Sequence, residues 1–83
     1  MSAGLSVVLR QRGGVIYKGS ADSVTAYNQL GEFDVLQNHA QLVALIKDKV
    51  VLRHQGGYQR EFVLKSGGIM SVANNVVKVF VDI

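Results

Sequence analysis

The chain has 83 residues, of which 48% are apolar, and it carries no cysteine and a formal charge of +3. This length holds one domain, here the whole of 1–83, and the apolar fraction is too high for a disordered chain. Disulfides and thiolate metal sites are excluded, and no apolar run approaches the ~20 residues of a membrane-crossing helix.

Met1-Ser2-Ala3-Gly4-Leu5 passes straight into an alternating segment. It reads as neither a signal nor a transit peptide, so a cytoplasmic location is expected. Leu5, Val7 and Leu9 alternate with Ser6, Val8 and Arg10, the period of a strand with one buried face. Gly13-Gly14 is a turn, and Val15-Ile16-Tyr17-Lys18 a second short strand. Gly19-Ser20 leads into residues 21–27, where Val24 and Ala26 alternate with Ser23 and Thr25. Asn28-Gln29 is a turn before a strand over 30–36.

Residues 41–47 fit both the helical and the strand period, because Leu42, Val43, Leu45 and Ile46 are all apolar. Seven residues are short for a helix, so a strand or irregular edge is expected. A separate β-branched run follows at 50–54. Gln55-Gly56-Gly57 closes it as a hairpin, and 58–65 returns, with Phe62 and Leu64 alternating against Glu61, Val63 and Lys65. Ser66-Gly67-Gly68 is a further turn, and 69–73, Asn74-Asn75 and 76–81 read as strand, turn, strand. Many short strands between glycine turns predict an all-β fold. The expected form is a β-sandwich of two mainly antiparallel sheets with about eight to ten strands.

The charged residues point to no catalytic constellation. Arg10, Arg12, Lys18, Lys47, Lys49, Arg53, Arg60, Lys65 and Lys78 spread along the chain, with acids between them, which is the pattern of a solvated surface. The glycine pairs lack the Gly-Lys-Ser/Thr ending of a phosphate loop. His39 and His54 do not have the ligand number or spacing of a zinc site. Glu32 and Asp34 would share one strand face, but without a pocket they read as turn charges rather than as an acid–base pair. No cofactor, metal or catalytic residue is expected. Two readings of His39 stand open: a turn histidine bonded to local backbone, or a partner contact. A second functional class also stands, a small basic β-barrel that binds single-stranded nucleic acid, stacking bases on Tyr17, Tyr27, Tyr58 or Phe80.

The run Gly31-Glu32-Phe33-Asp34-Val35-Leu36-Gln37-Asn38-His39-Ala40-Gln41-Leu42 resembles the Gly-Glu-Phe-Gly-Val-Leu-Pro-Gly-His-Ala-Pro-Leu signature of the epsilon subunit of F-type ATP synthases, delta in mitochondria. The likeness extends in order along the chain, through Leu5-Ser6-Val7-Val8, Val15–Val24, Ala44-Leu45-Ile46-Lys47, Val50-Val51-Leu52-Arg53, Phe62–Ile69 and Asn75-Val76-Val77-Lys78-Val79. Asp34 stands where the family usually has Gly, Gln37-Asn38 replaces Pro-Gly, and Gln41 replaces a second Pro.

The resemblance implies the family's N-terminal β-sandwich, with the C-terminal helical hairpin absent and its nucleotide-binding functions not transferred. It implies a non-catalytic central-stalk subunit that links the gamma subunit to the membrane c-ring and couples ion flow to ATP synthesis. Such a subunit would be peripheral to the cytoplasmic face of a bacterial inner membrane, or to an organellar equivalent. The implied partner contacts are Gly31 and Glu32 at one tip, and His39, Ala40, Gln41, Leu42 and Ala44. Leu42 is the apolar anchor of that group unless its side chain points into the core.

Overall fold

The computed structural model describes residues 4–81. The readings of Met1–Ala3, Asp82 and Ile83 lie outside them. Eight strands run in chain order: β1 Leu5–Gln11, β2 Gly14–Ala21, β3 Ser23–Asn28, β4 Gly31–Val35, β5 Leu42–Arg53, β6 Gln59–Val63, β7 Gly68–Ala73 and β8 Val76–Val81. A single 3-10 turn, Gln55–Gly57, joins β5 to β6.

The strand β5 turns this set into a sandwich. Its first half, Leu42 to Ile46, pairs with β7 in a layer ordered β2-β1-β8-β7-β5. Its second half pairs with β6 and β3 in the other layer, which β4 completes. Among the described residues all pairings are antiparallel except that of β1 with β8, which is parallel. The expected all-β sandwich of two mainly antiparallel sheets is the observed architecture, with both layers hydrogen-bonded through one shared strand.

The segments 41–47 and 50–54, read from sequence as separate elements, are therefore one strand of 12 residues. Asp48 joins them in the left-handed region at φ 66°, where a short polar side chain tolerates what a β-branched one would not. Beside this bend the β3–β5 register slips between Thr25 and Tyr27, the mark of a bulge that redirects a strand. The Asp48 carbonyl accepts the Leu64 N–H at 2.9 Å, so the bend leaves that group satisfied.

Alternation explains the core. Leu5, Val7 and Leu9 of β1, Met70 and Val72 of β7, and Val77, Val79 and Val81 of β8 face inward from one layer. Val24, Ala26, Val35, Val50 and Leu52 meet them from the other, with Leu64 just past β6. These side chains are removed from water almost completely, at roughly 25 cal/mol per Å² of apolar surface, and this is the main force holding the layers together.

Gly19-Ser20 does not interrupt β2 as the sequence reading had it. Gly19 sits inside the strand because the Tyr17 side chain folds across it; a Cβ there would lie 2.8 Å from the Tyr17 hydroxyl oxygen. The Tyr17 ring then meets Phe62 of β6 at 5.8 Å between centroids, and the Arg60 guanidinium stands 5.3 Å from each ring. This cluster bridges β2 and β6, which border the two layers, and covers the gap between them.

Candidate partner interface

The sequence-implied contact residues fall into two groups. Gly31 opens β4 with φ 122°, beyond a turn in which the Asn28 side-chain oxygen accepts the Leu30 N–H at 2.8 Å. Leu30 at the tip is 97% exposed. Glu32 is exposed opposite Tyr27, on the outer face of the β3–β4 layer. On that face Lys49 stands 5.8 Å from the Tyr27 ring and pairs with Glu61 at 3.0 Å. The hydrogen bond and charge of Glu61 hold the Lys49 ammonium above the usual lysine value, with smaller contributions from Tyr27 and Glu32.

The second group begins in the loop 36–41, between β4 and β5. Asn38 adopts the left-handed conformation at φ 66°, as its residue type suggested. The next residue, His39, donates its backbone N–H to the Leu36 carbonyl at 3.1 Å, closing the turn. The His39 Nδ1 lies 2.7 Å from the Ala40 carbonyl oxygen, so a proton on Nδ1 is donated there and Nε2 is the other ring nitrogen. The His39 ring is half-buried, whereas Ala40 and Gln41 are exposed.

These two groups do not form one patch. Leu30 and Leu45 line a common depression at one end of the sandwich, while Asn38 bonds Asn75 in the β7–β8 turn at the other. The length of β4, about 17 Å at strand rise, separates them.

Leu42 and Ala44 are half-buried and pack against the core, opposite Val72 and Met70. The neighbours Val43 and Leu45 face out instead, at 76% and 74% exposure. Register then places Leu45, Ile69 and Phe80 side by side across β5, β7 and β8, with Ile69 49% and Phe80 53% exposed. Sequence reasoning missed this apolar row. In Leu42–Ile46 both strand faces are apolar, so the period marks a strand but not which face is inside. A partial signal existed in Ile69 and Phe80, which stand out of phase with the buried Met70, Val72, Val77 and Val79.

The aromatic residues suggested for base stacking are dispersed. Tyr17 is engaged with Phe62, and the Tyr58 ring packs at a tilt against His54, 5.3 Å between centroids, beside the 3-10 turn. Tyr27 and Phe80 face outward from opposite layers, so they make no common platform.

Asp34, the residue at the signature's usual glycine, has a defined role here. Its carboxylate accepts the hydroxyl of Thr25 at 2.7 Å, and that hydroxyl oxygen in turn accepts Arg53 Nε–H at 3.1 Å. Arg53 also donates to the Gln59 side chain. The group ties β4, β3, β5 and β6 together on the outer face of their layer.

Two layers joined by one shared, bent strand, with a parallel β1–β8 pair, define a small β-sandwich domain. The ATP synthase delta/epsilon chain beta-sandwich domain matches residues 4–83, and the chain belongs to that family. Over 68 residues it is 41% identical to the ATP synthase epsilon chain of Xanthomonas campestris pv. campestris, covering 81% of this chain and 48% of that one. It is 40% identical over the same length to the ATP synthase epsilon chain of Stenotrophomonas maltophilia, with the same coverage. The chain spans about half the length of these curated relatives.

Among solved structures, the fold is similar to a chain of the Euglena gracilis mitochondrial ATP synthase OSCP/F1/c-ring assembly, with a TM-score of 0.86 at 23% identity, covering 98% of this chain and 52% of that one. It is also similar to a chain of the Tetrahymena thermophila mitochondrial ATP synthase central stalk and c-ring, with a TM-score of 0.74 at 16% identity, covering 96% and 64%.

Proposed function

We propose that this domain is a non-catalytic part of the central stalk of a rotary F-type ATP synthase. It joins the gamma subunit to the membrane c-ring, so that ring rotation driven by ion flow turns the stalk. It lies on the cytoplasmic face of a bacterial inner membrane, held there through the complex. Family membership gives the setting, and the exposed row Leu45–Ile69–Phe80 is the structural observation that carries the reading. A contiguous apolar surface on a small domain is the mark of a contact face.

The mechanism is mechanical. A coupling part must resist shear between what it holds at either side. In an ordinary sandwich the layers resist sliding by side-chain packing alone. Here β5 runs covalently from one layer into the other, so sliding would also strain its backbone and break its ladders with β7, β3 and β6. The separate placement of the contact groups suits a part with two neighbours. Gly31 and Glu32 at one tip meet the ring, and His39, Ala40 and Gln41 at the other end serve the second partner. Leu42 and Ala44 pack inward beside that end, and the outward-facing Val43 and Leu45 lead from it along β5 toward the Gly31 end.

The test is a Glu32→Ala, His39→Ala double substitution, followed by reconstitution with gamma and the ring. The isolated domain is expected to melt within a few degrees of the parent, since Glu32 is exposed and the half-buried His39 ring bonds only the adjacent backbone. Assembly and ion-driven ATP synthesis are expected to fall. Full coupling with normal assembly would overturn the assignment of these residues.

A further inference from the structure

The loop 36–41 lies outside the strands, yet it meets a side chain 37 positions away in sequence. Asn75 Oδ1 accepts the Asn38 backbone N–H at 2.6 Å, and Asn75 Nδ2 lies 3.5 Å from Asn38 Oδ1 as its donor. The Asn75 carbonyl also accepts the Ser6 N–H at 2.9 Å. One residue thus touches the start of β1, the β7–β8 turn and the β4–β5 loop. We propose that Asn75 is a positioning residue for the partner-facing loop, clasping Asn38 and so fixing where His39, Ala40 and Gln41 are presented. This rests on the stalk reading for what the loop contacts.

The turn itself does not require an asparagine side chain. Asn74 and Asn75 have φ 52° and 63°, and β7 closes on β8 with Ala73 opposite Val76, the geometry of a two-residue hairpin turn with both central residues left-handed. Glycine satisfies the second position of such a turn at least as well as asparagine. What asparagine adds is the amide group that reaches Asn38. Asn38 is itself left-handed, and the His39 N–H bond to Leu36 closes the loop locally. That local bond shapes the turn. The Asn75 clasp ties the shaped turn to the sandwich, and without it the loop is free to swing about its ends at residues 35 and 42.

The geometry supplies two informative variants. Asn75→Gly keeps the left-handed turn and removes both clasp bonds. Asn75→Asp keeps an oxygen acceptor for the Asn38 N–H. Amide hydrogen exchange of Asn38 reads the clasp directly, and binding to the gamma–c-ring assembly of the host's own ATP synthase reads its consequence.

Asn75→Gly is expected to lower the melting temperature by no more than several degrees, to abolish Asn38 protection and to weaken binding roughly fivefold, the equivalent of one ordinary hydrogen bond. Asn75→Asp is expected to restore Asn38 protection and most of the binding. Unchanged Asn38 protection in Asn75→Gly would overturn the clasp. Lost protection with undiminished binding would overturn the positioning role. A parent chain that binds neither gamma nor the ring would defeat the stalk reading instead, and the exchange result would still decide the clasp.

Discussion

Thr25, fully buried although it faces the outer side of its layer, donates its hydroxyl to the Asp34 carboxylate at 2.7 Å across the β3–β4 pair. The cover comes from longer neighbours. Asp34 and Arg53 both reach over it, and Arg53 donates to the same hydroxyl oxygen at 3.1 Å. A buried hydroxyl with both partners met is cheap, whereas one left with an unmet donor is not.

Removing Asp34 is therefore expected to cost more than removing Thr25. Asp34→Ala leaves the buried hydroxyl without its acceptor, a loss of about 1–3 kcal/mol. Asp34→Asn keeps an acceptor and loses less. In Thr25→Val the buried polar group disappears together with its need, while the exposed Asp34 and Arg53 turn to water, so the cost stays below that of Asp34→Ala. Urea unfolding of the three variants ranks them.

The inward and outward phases of β5 make opposite forecasts for adjacent residues. Leu42→Ala opens space against the core and is expected to destabilise by about 1–2 kcal/mol, below the full range for a completely buried leucine. Val43→Ala is expected to change stability by less than about 0.5 kcal/mol. Thermal melts of the two variants decide the phase, and equal losses would contradict the register with β7.

Gly68 illustrates a close approach of backbones. A Cβ at this position would lie 2.5 Å from the Phe80 carbonyl oxygen, and the neighbouring Gly67 has φ 88° with its Cβ position 2.6 Å from the Ile46 carbonyl oxygen. Neither obstacle is a movable side-chain end. Gly68→Ala is expected to destabilise by roughly 1–3 kcal/mol, as overpacking does. Gly19→Ala is expected to cost less, because only the Tyr17 ring must swing aside. Chemical denaturation of both variants checks the order.

The Lys49–Glu61 pair has a defined pH dependence. Glu61 raises the folded-state pKa of Lys49 above the ordinary 10.5, first through its hydrogen bond and then through its charge. A raised lysine contributes stability that is complete below the unfolded-state value and is lost as pH rises through the folded value. The small contribution of the pair is therefore present at neutral pH and is lost only at alkaline pH. Glu61→Gln is expected to lower the Lys49 pKa in an NMR titration of its side chain. Stability near neutral pH is expected to change little, as for other exposed ion pairs.

The legible parts of the chain were those where polar residues marked one face. Ser6 and Arg10 betray the outer side of β1, so its buried set Leu5, Val7 and Leu9 could be read directly. Asn74-Asn75 and Asn38 announced their turns because few residues tolerate left-handed backbone. At Leu42–Ile46 that contrast was missing, and the implied contacts Leu42 and Ala44 proved to be turned inward. Of the other candidate residues, Gly31, Glu32, Ala40 and Gln41 are exposed.

Local pattern alone was enough to determine an all-β chain of short strands, its main hairpin turns and the family it resembles, because side-chain alternation and turn propensity depend on near neighbours. Tertiary structure decided the rest. The fusion of two apparent strands into β5 through Asp48, the exposed row Leu45–Ile69–Phe80 and the Thr25–Asp34–Arg53 group each depend on strand register. The Asn38–Asn75 clasp depends on which turns share one end of the sandwich. Register and layer order are set by the burial of many side chains at once, and no short stretch of sequence carries that sum.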